Sequence, residues 1–234
     1  MAKKGGDRKL KRLNAPSTMH INRKEKSFVF NIKPGPHSKK CSVPLGYLIR
    51  DCLGIAKNRR EAKIILNEGR VRVNGIVRKS LQFPVGLFDF ISIDGLEKEY
   101  QMLYDYKGRL YPEEVKNKKK GLVRPSKVIG KRVIKKGKIQ LTTDNGNNYI
   151  VSNTIFLEAK PNDTLMVKFP ENEIIELKRM EPGAKVYITG GPHISKQAIV
   201  KDIKPGTGKK GKVVVIKQGD KEFETLAKNV MVIE

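Results

Sequence analysis

The chain of 234 residues carries 49 Lys and Arg against 24 Asp and Glu, a formal net charge of +25, with 38% hydrophobic residues, 6% aromatic residues and no Trp. An excess of this size favours a polyanionic partner, because each cation placed on a phosphate releases condensed counterions. It excludes neither nucleic acid nor an anionic membrane by itself, but no apolar run approaches the roughly 18 residues of a spanning helix, and Met1-Ala2-Lys3-Lys4-Gly5-Gly6 has no apolar core of a signal peptide.

Cys41 and Cys52 are too few for a disulfide framework and form no Cys-x-x-Cys pair for zinc, so the chain reads as cytoplasmic and reduced, with no metal and no cofactor. The low aromatic content argues against a surface that holds RNA mainly by base stacking. The length and the repeated Gly and Pro punctuation suggest several small domains of α+β class.

Charge is unevenly placed. Residues 1–42 hold 12 basic and 2 acidic residues, 43–106 hold 10 and 8, and 107–140 hold 13 and 2; the remainder is near balance, at 4 and 7 for 141–182 and 10 and 5 for 183–234. Two dense blocks of one sign repel themselves and order only against an anion. The first, 1–42, shows no sustained periodicity and is broken at Ala15-Pro16 and at Lys33-Pro34-Gly35-Pro36-His37. It reads as a basic extended arm whose candidate phosphate contacts are Arg8, Lys9, Lys11, Arg12, Arg23 and Lys24. A floppy solubilising tail is the alternative.

Residues 43–93 read as a small two-helix-plus-sheet module. Ser42 is a candidate N-cap for a helix with apolar Leu45, Leu48, Ile49 and Leu53, closed by Gly54. A second helix is expected from Asn58, with Glu61 completing a capping-box-like pair and Gly69 ending it. Ala62, Ile65 and Leu66 share one face, and Arg59, Arg60, Lys63 and Asn67 the other. Val71 and Val73 then alternate with Arg70 and Arg72, and Asn74-Gly75 is a type I′ hairpin signal. By themselves these cations could be an ordinary solvated surface.

The run Asn58-Arg59-Arg60-Glu61-Ala62, Ile65-Leu66, Gly69-x-Val71-x-Val73-Asn74-Gly75 resembles the S-four-type RNA-binding domain. The resemblance implies that Lys57, Arg59, Arg60, Lys63, Arg70 and Arg72 meet RNA, with Asn74 of the turn included in the expected set.

From 94 to 178 the pattern predicts a central twisted β domain with strands near Tyr100–Tyr104, Val128–Val133, Lys138–Thr143, Tyr149–Val151, Thr164–Phe169 and Ile174–Leu177, and a hairpin turn at Asp144–Asn147. Its leading segment is expected as a basic loop along phosphates, carrying Lys118, Lys119, Lys120, Arg124 and Lys127. Residues 179–234 suggest a closed, five-stranded small β-barrel that resembles the KOW motif, with Ser195 and Ala198 standing where that motif has glycines.

The order of arm, module, central β domain and barrel, with Gly35-Pro36-His37, Asp89-Phe90-Ile91-Ser92-Ile93 and Leu103-Tyr104-Asp105-Tyr106-Lys107-Gly108-Arg109, is similar to the archaeal and eukaryotic S-four-e family of small-subunit ribosomal proteins. That resemblance implies small-subunit ribosomal RNA and neighbouring ribosomal proteins as partners, and a ribosome-bound location. A transient RNA-binding translation or transcription factor is the competing reading, disfavoured by long basic segments whose ordering entropy is lost at every binding event.

An enzyme is not expected, nor a small-molecule substrate. S-four-type modules also precede pseudouridine synthase domains, which use an aspartate after Gly-Arg-Leu, and here Gly108-Arg109-Leu110 is followed by Tyr111. His20, His37 and His193 lack partners at metal-ligand spacing and read as surface residues or phosphate donors, and Glu113-Glu114 as a helix cap after Pro112.

Overall fold

A computed structural model of the chain describes residues 9–96, 98–115, 122–151, 154–206, 211–219 and 221–233. It divides into two compact units, the first formed within Met1–Leu103 and Arg109–Lys118, the second within Tyr104–Gly108 and Lys119–Glu234. Short helices and many strands make a mixed fold.

In the first unit the arm opens as a two-stranded ribbon, β1 (Leu10–Lys11) against β2 (Phe28–Val29). The arm runs almost without regular structure, yet it is packed: Leu10, Met19, Val29, Phe30 and Ile32 are buried. Apolar residues scattered among the lysines anchor it, and backbone groups join in. The Tyr47 hydroxyl donates to the carbonyl of His20 (2.8 Å), the Thr18 hydroxyl to that of Ser42 (3.2 Å), and Lys33 N to that of Gln82 (3.0 Å).

The module that follows departs from expectation at its start. Ser42 lies in β3 (Ser42–Pro44), which pairs with β6 (Pro84–Gly86), and caps nothing; its hydroxyl donates to Ser38 O at 2.7 Å. Helix α1 (Leu45–Tyr47) starts after Pro44 and widens into a π turn over Leu48–Cys52, with Leu53 N bonded to Leu48 O. Its first amides need no side-chain cap, because Leu45 N and Gly46 N donate to the carbonyls of Phe83 and Leu81 at 2.9 and 2.8 Å. A Cβ at Gly46 would meet Leu81 Cδ2 at 2.8 Å and the Leu81 carbonyl oxygen at 3.1 Å, so a side chain here would have to displace Leu81.

Helix α2 (Arg59–Asn67) follows, then a sheet of β4 (Val71–Val73), β5 (Ile76–Val77), β7 (Phe90–Ile93), β8 (Glu99–Tyr104) and β9 (Leu110–Glu114) in the order β5-β4-β7-β8-β9. The strands after residue 94, expected in the central domain, join this sheet because the Asp94–Gly95 turn folds β8 straight back onto β7. Glu113 and Glu114 lie in β9 and cap no helix; Glu114 pairs with Lys98 at 3.0 Å.

A buried polar hub ties the arm to the module. Asp89, 1% exposed, accepts from Gly86 N (2.7 Å) and lies 2.9 Å from His37 Nε2 through Oδ2, while Oδ1 accepts from Asn74 Nδ2 at 2.8 Å. His37 is therefore interior, not a surface phosphate donor. A Cβ at Gly86 would lie 2.5 Å from its ring, and one at Gly35 would lie 2.6 Å from Pro84, so the Gly35-Pro36-His37 joint is shaped by close contact.

The second unit holds two antiparallel sheets, each with its own apolar core. One has the order β12-β11-β10-β13-β14, from β10 (Leu122–Val133), β11 (Ile139–Thr143), β12 (Asn148–Val151), β13 (Thr164–Phe169) and β14 (Glu173–Lys178), over Val128, Leu141, Val151, Leu165, Val167 and Phe169. The other has the order β18-β17-β16-β15-β19, from β15 (Lys185–Ile188), β16 (Gln197–Lys204), β17 (Val213–Gln218), β18 (Lys221–Leu226) and β19 (Val230–Val232), around Val186, Ile188, Val200, Val214, Ile216 and Val230.

The expected barrel is curled but not closed by a ladder: β18 and β19 are its two edges, and among the described residues no pairing joins them. The 3-10 turn Ala227–Asn229 links the end of β18 directly to the start of β19. Ser195 keeps a left-handed φ of 72° at the turn where the KOW motif has glycine, and Ala198 is buried in the core. His193 is not a free surface residue; it stacks on Phe223 with ring centroids 3.9 Å apart.

Lys127 is sealed in this unit. Its Nζ donates to the carbonyls of Ala227 (2.6 Å) and Val230 (2.7 Å), and burial pushes its pKa down to about 8 against a weaker opposing effect of Asp144. Two acceptors match the two N–H groups of a neutral amine. Because the folded pKa is below the unfolded one, the unfolded chain binds more protons between those values, and stability rises with pH through that window. The second unit is therefore expected to gain about 1–2 kcal/mol between about pH 7.5 and about pH 9.5. Lys127→Met should remove that slope, read by urea denaturation followed through hydrogen exchange of peptides from this unit; an unchanged slope would contradict the assignment.

Candidate nucleic-acid interface

Helix α2 begins at Asn58, whose side-chain oxygen accepts from Arg60 N (2.9 Å) and Glu61 N (3.0 Å). Glu61 reaches back to Lys57 N (2.7 Å) and Asn58 Nδ2 (2.9 Å), completing the reciprocal cap. The cap occupies the one carboxylate of the first turn, leaving the neighbouring cations without it. Ala62 and Leu66 are fully buried, whereas Lys57, Arg59, Arg60 and Lys63 are exposed. Gly69, at φ 78°, ends the helix and turns the chain into β4, where Val71 and Val73 face inward and Arg72 outward.

Arg70 pairs with Glu68 (2.7 Å) and Arg72 with Asp94 (3.2 Å), each about half exposed. Surface pairs of this kind are worth about 0–1 kcal/mol, so a phosphate can replace the carboxylate at little cost. Arg59 is held from the arm: its guanidinium carbon is 5.8 Å from the Phe30 ring centroid, and that of Arg50 is 4.6 Å from the same ring. Arg50 escaped the sequence reading because the adjacent Asp51 bonds it and cancels its charge in any local count.

In the arm, Lys9, Lys11 and Lys24 are exposed. Arg23 is exposed as a residue, but its Nη1 donates to the carbonyls of Leu13 (2.9 Å) and Ala15 (3.0 Å). Arg12 must be corrected: it is 5% exposed, and its Nε donates to Asn22 O at 3.1 Å. These two arginines cross-brace the loop between β1 and β2, each taking carbonyls from the other's side.

Three further expectations change. Asn74 uses its amide internally, donating to Asp89 and accepting from Phe90 N at 2.9 Å, which holds it at φ 52° as the Asn-Gly turn requires. Arg124 (2% exposed) and Lys127 (7%) lie in β10 rather than in a loop, and their side chains point into the second unit. Both fall in the buried stretch Arg124–Val128 of β10, whereas Lys131 and Arg132 farther along the same strand are exposed. Arg8, Lys118, Lys119 and Lys120 lie outside the described residues.

The model of ribosomal family S4e matches residues 96–174, the RS4NT domain matches 4–40, and the S4 domain matches 52–91, which contains α2 and β4. The small ribosomal subunit protein eS4 of Methanosphaera stadtmanae is 40% identical over 233 residues, covering 100% of this chain and 95% of that protein. This chain belongs to the S4e family. A second member, eS4 of Archaeoglobus fulgidus, is 37% identical over 95% of this chain and 92% of its own length. The crystal structure of the 30S ribosomal protein S4e from Thermoplasma acidophilum superimposes with a TM-score of 0.68 at 30% identity, covering 82% of this chain and 94% of that one. In this S4e chain the S4 match contains α2, with exposed Arg59, Arg60 and Lys63 opposite buried Ala62 and Leu66.

Proposed function

We propose that this chain is a structural constituent of the small ribosomal subunit, cytoplasmic and ribosome-bound, that binds and stabilises folded small-subunit ribosomal RNA beside neighbouring ribosomal proteins. The observation that carries this reading is the exposed set Lys57, Arg59, Arg60 and Lys63 on the face of α2 opposite buried Ala62 and Leu66, in a chain of which 95% or more is matched by relatives named as small ribosomal subunit proteins. Arg70 and Arg72 extend the face, and Lys9, Lys11 and Lys24 supply a second group of phosphate contacts. The role is one of neutralisation and positioning without catalysis: Tyr111 occupies a strand where a synthase would need aspartate. A cycling factor is not favoured by the two relatives named above.

The test is gradient sedimentation of cell extract, in which the protein is expected to travel with the small subunit through a high-salt wash; recovery as free protein overturns the reading. In a purified system, affinity for small-subunit RNA is expected to fall steeply with salt. About six to ten phosphate contacts correspond to a loss of roughly 10³–10⁵ between about 50 and 200 mM salt. A flat log–log plot of affinity against salt would rule out phosphate contact as the source of binding.

A further inference from the structure

The ribbon at the start of the arm has two unlike faces. The ladder pairs Leu10 with Val29, both buried, and Lys11 with Phe28 on the opposite side, where Phe28 is 51% exposed. Lys9 Nζ lies 5.8 Å from the Phe28 ring centroid. Beside the ring is a cavity of about 500 Å³ lined by Lys11, Leu13, Arg23, Lys24, Glu25, Lys26, Ser27 and Phe28. That volume is within the roughly 300–1,000 Å³ of ordinary small-ligand sites.

The walls are firm. Arg12 Nε on Asn22 O, Arg23 Nη1 on Leu13 O and Ala15 O, and Arg12 N on Ser27 O (3.0 Å) fix the loop before any ligand arrives, and such pre-organisation lowers the entropy lost on binding. The lining combines a half-exposed aromatic ring with an excess of cations over the lone carboxylate of Glu25. A larger cleft of about 580 Å³ in the second unit has no aromatic ring in its lining and is near charge balance: Arg179 is paired with Glu158, Lys131 is bonded to Leu157 O, and Asp163 and Glu181 share its wall.

A flat apolar surface ringed by cations fits a ligand with a π face and a negatively charged tether. We propose that this outer face of the ribbon seats one unpaired nucleotide of RNA, its base stacked on Phe28 and its flanking phosphates taken by Lys9, Lys11, Lys24 and Lys26. A base within a duplex has no free face to offer, so the site selects a splayed-out or single-stranded residue. The inference rests on the RNA-binding reading above and adds to it the kind of RNA and the residue that selects it.

The experiment compares binding of the full chain, its Phe28→Leu, Phe28→Ala and Phe28→Tyr variants, to single-stranded oligouridine and to a blunt RNA duplex of equal length. Stacking on one aromatic side chain is worth about 1–3 kcal/mol per base. Phe28→Leu, which keeps an apolar strand residue, and Phe28→Ala should each weaken single-strand binding about tenfold, leave duplex binding unchanged, and be rescued by Phe28→Tyr. Parent-like single-strand binding by Phe28→Leu overturns the inference, as does an equal loss for both RNAs. If the parent chain binds neither RNA, the RNA-binding reading itself falls and takes the inference with it.

Discussion

Replacement of Arg59, Arg60 and Lys63 by Glu is expected to weaken binding of small-subunit ribosomal RNA on the order of a hundredfold, the loss of about three phosphate contacts, and to lower the salt slope by about three. The fold should survive. All three side chains are exposed, and the apolar face of α2 rests on Ala62, Ile65 and Leu66. Glu at the two positions of the first turn would complement the helix dipole better than Arg does. Filter binding across a salt series, with the thermal midpoint measured on the same samples, decides the matter. A large drop in the midpoint would mean that these residues hold the module together, and full retention of affinity would remove α2 from the interface.

Asp89→Ala is expected to destabilise the first unit by about 3–5 kcal/mol, because it strips the acceptor from two buried groups and one half-buried amide at once. His37, the Asn74 amide and Gly86 N each lose the same carboxylate. The consequence reaches function through geometry. Asn74 sets the turn after β4, His37 anchors the arm, and both basic groups are aimed by the hub that joins them. Asp89→Asn, which keeps two polar atoms in place, should lose less. Hydrogen exchange of peptides within residues 9–103 measures the effect directly; a loss below about 1 kcal/mol would show that the hub is incidental.

Much of the S4 domain was legible in sequence because its determinants are local. Asn58 and Glu61 lie one helical turn apart, Ala62 and Leu66 repeat with the helix period, and Asn74-Gly75 sits between alternating Val and Ile residues. Each rule involves neighbours within about four residues, so no knowledge of the rest of the chain was required. The strand spacing after residue 128 was legible for the same reason, although β10 begins six residues before the expected strand, at Leu122. Ser42 failed because the first amides of α1 are satisfied by the carbonyls of Leu81 and Phe83, some forty residues away, and no local pattern can announce that.

The candidate interface divides along the same line. The charge excess, its concentration in two blocks, and the opposition of Arg59, Arg60 and Lys63 to an apolar helix face are all local properties of the chain. Tertiary structure decided which cations face solvent. Arg12, Arg124 and Lys127 look like their neighbours in a charge count, yet each is enclosed, and Lys127 ends on two carbonyls about a hundred residues distant. Phe28 and Phe30 are separated by a single residue, but the ladder turns one outward beside a cavity while the fold buries the other beneath Arg50 and Arg59. Charge and periodicity are properties of a segment, whereas exposure depends on what the remainder of the chain packs against it.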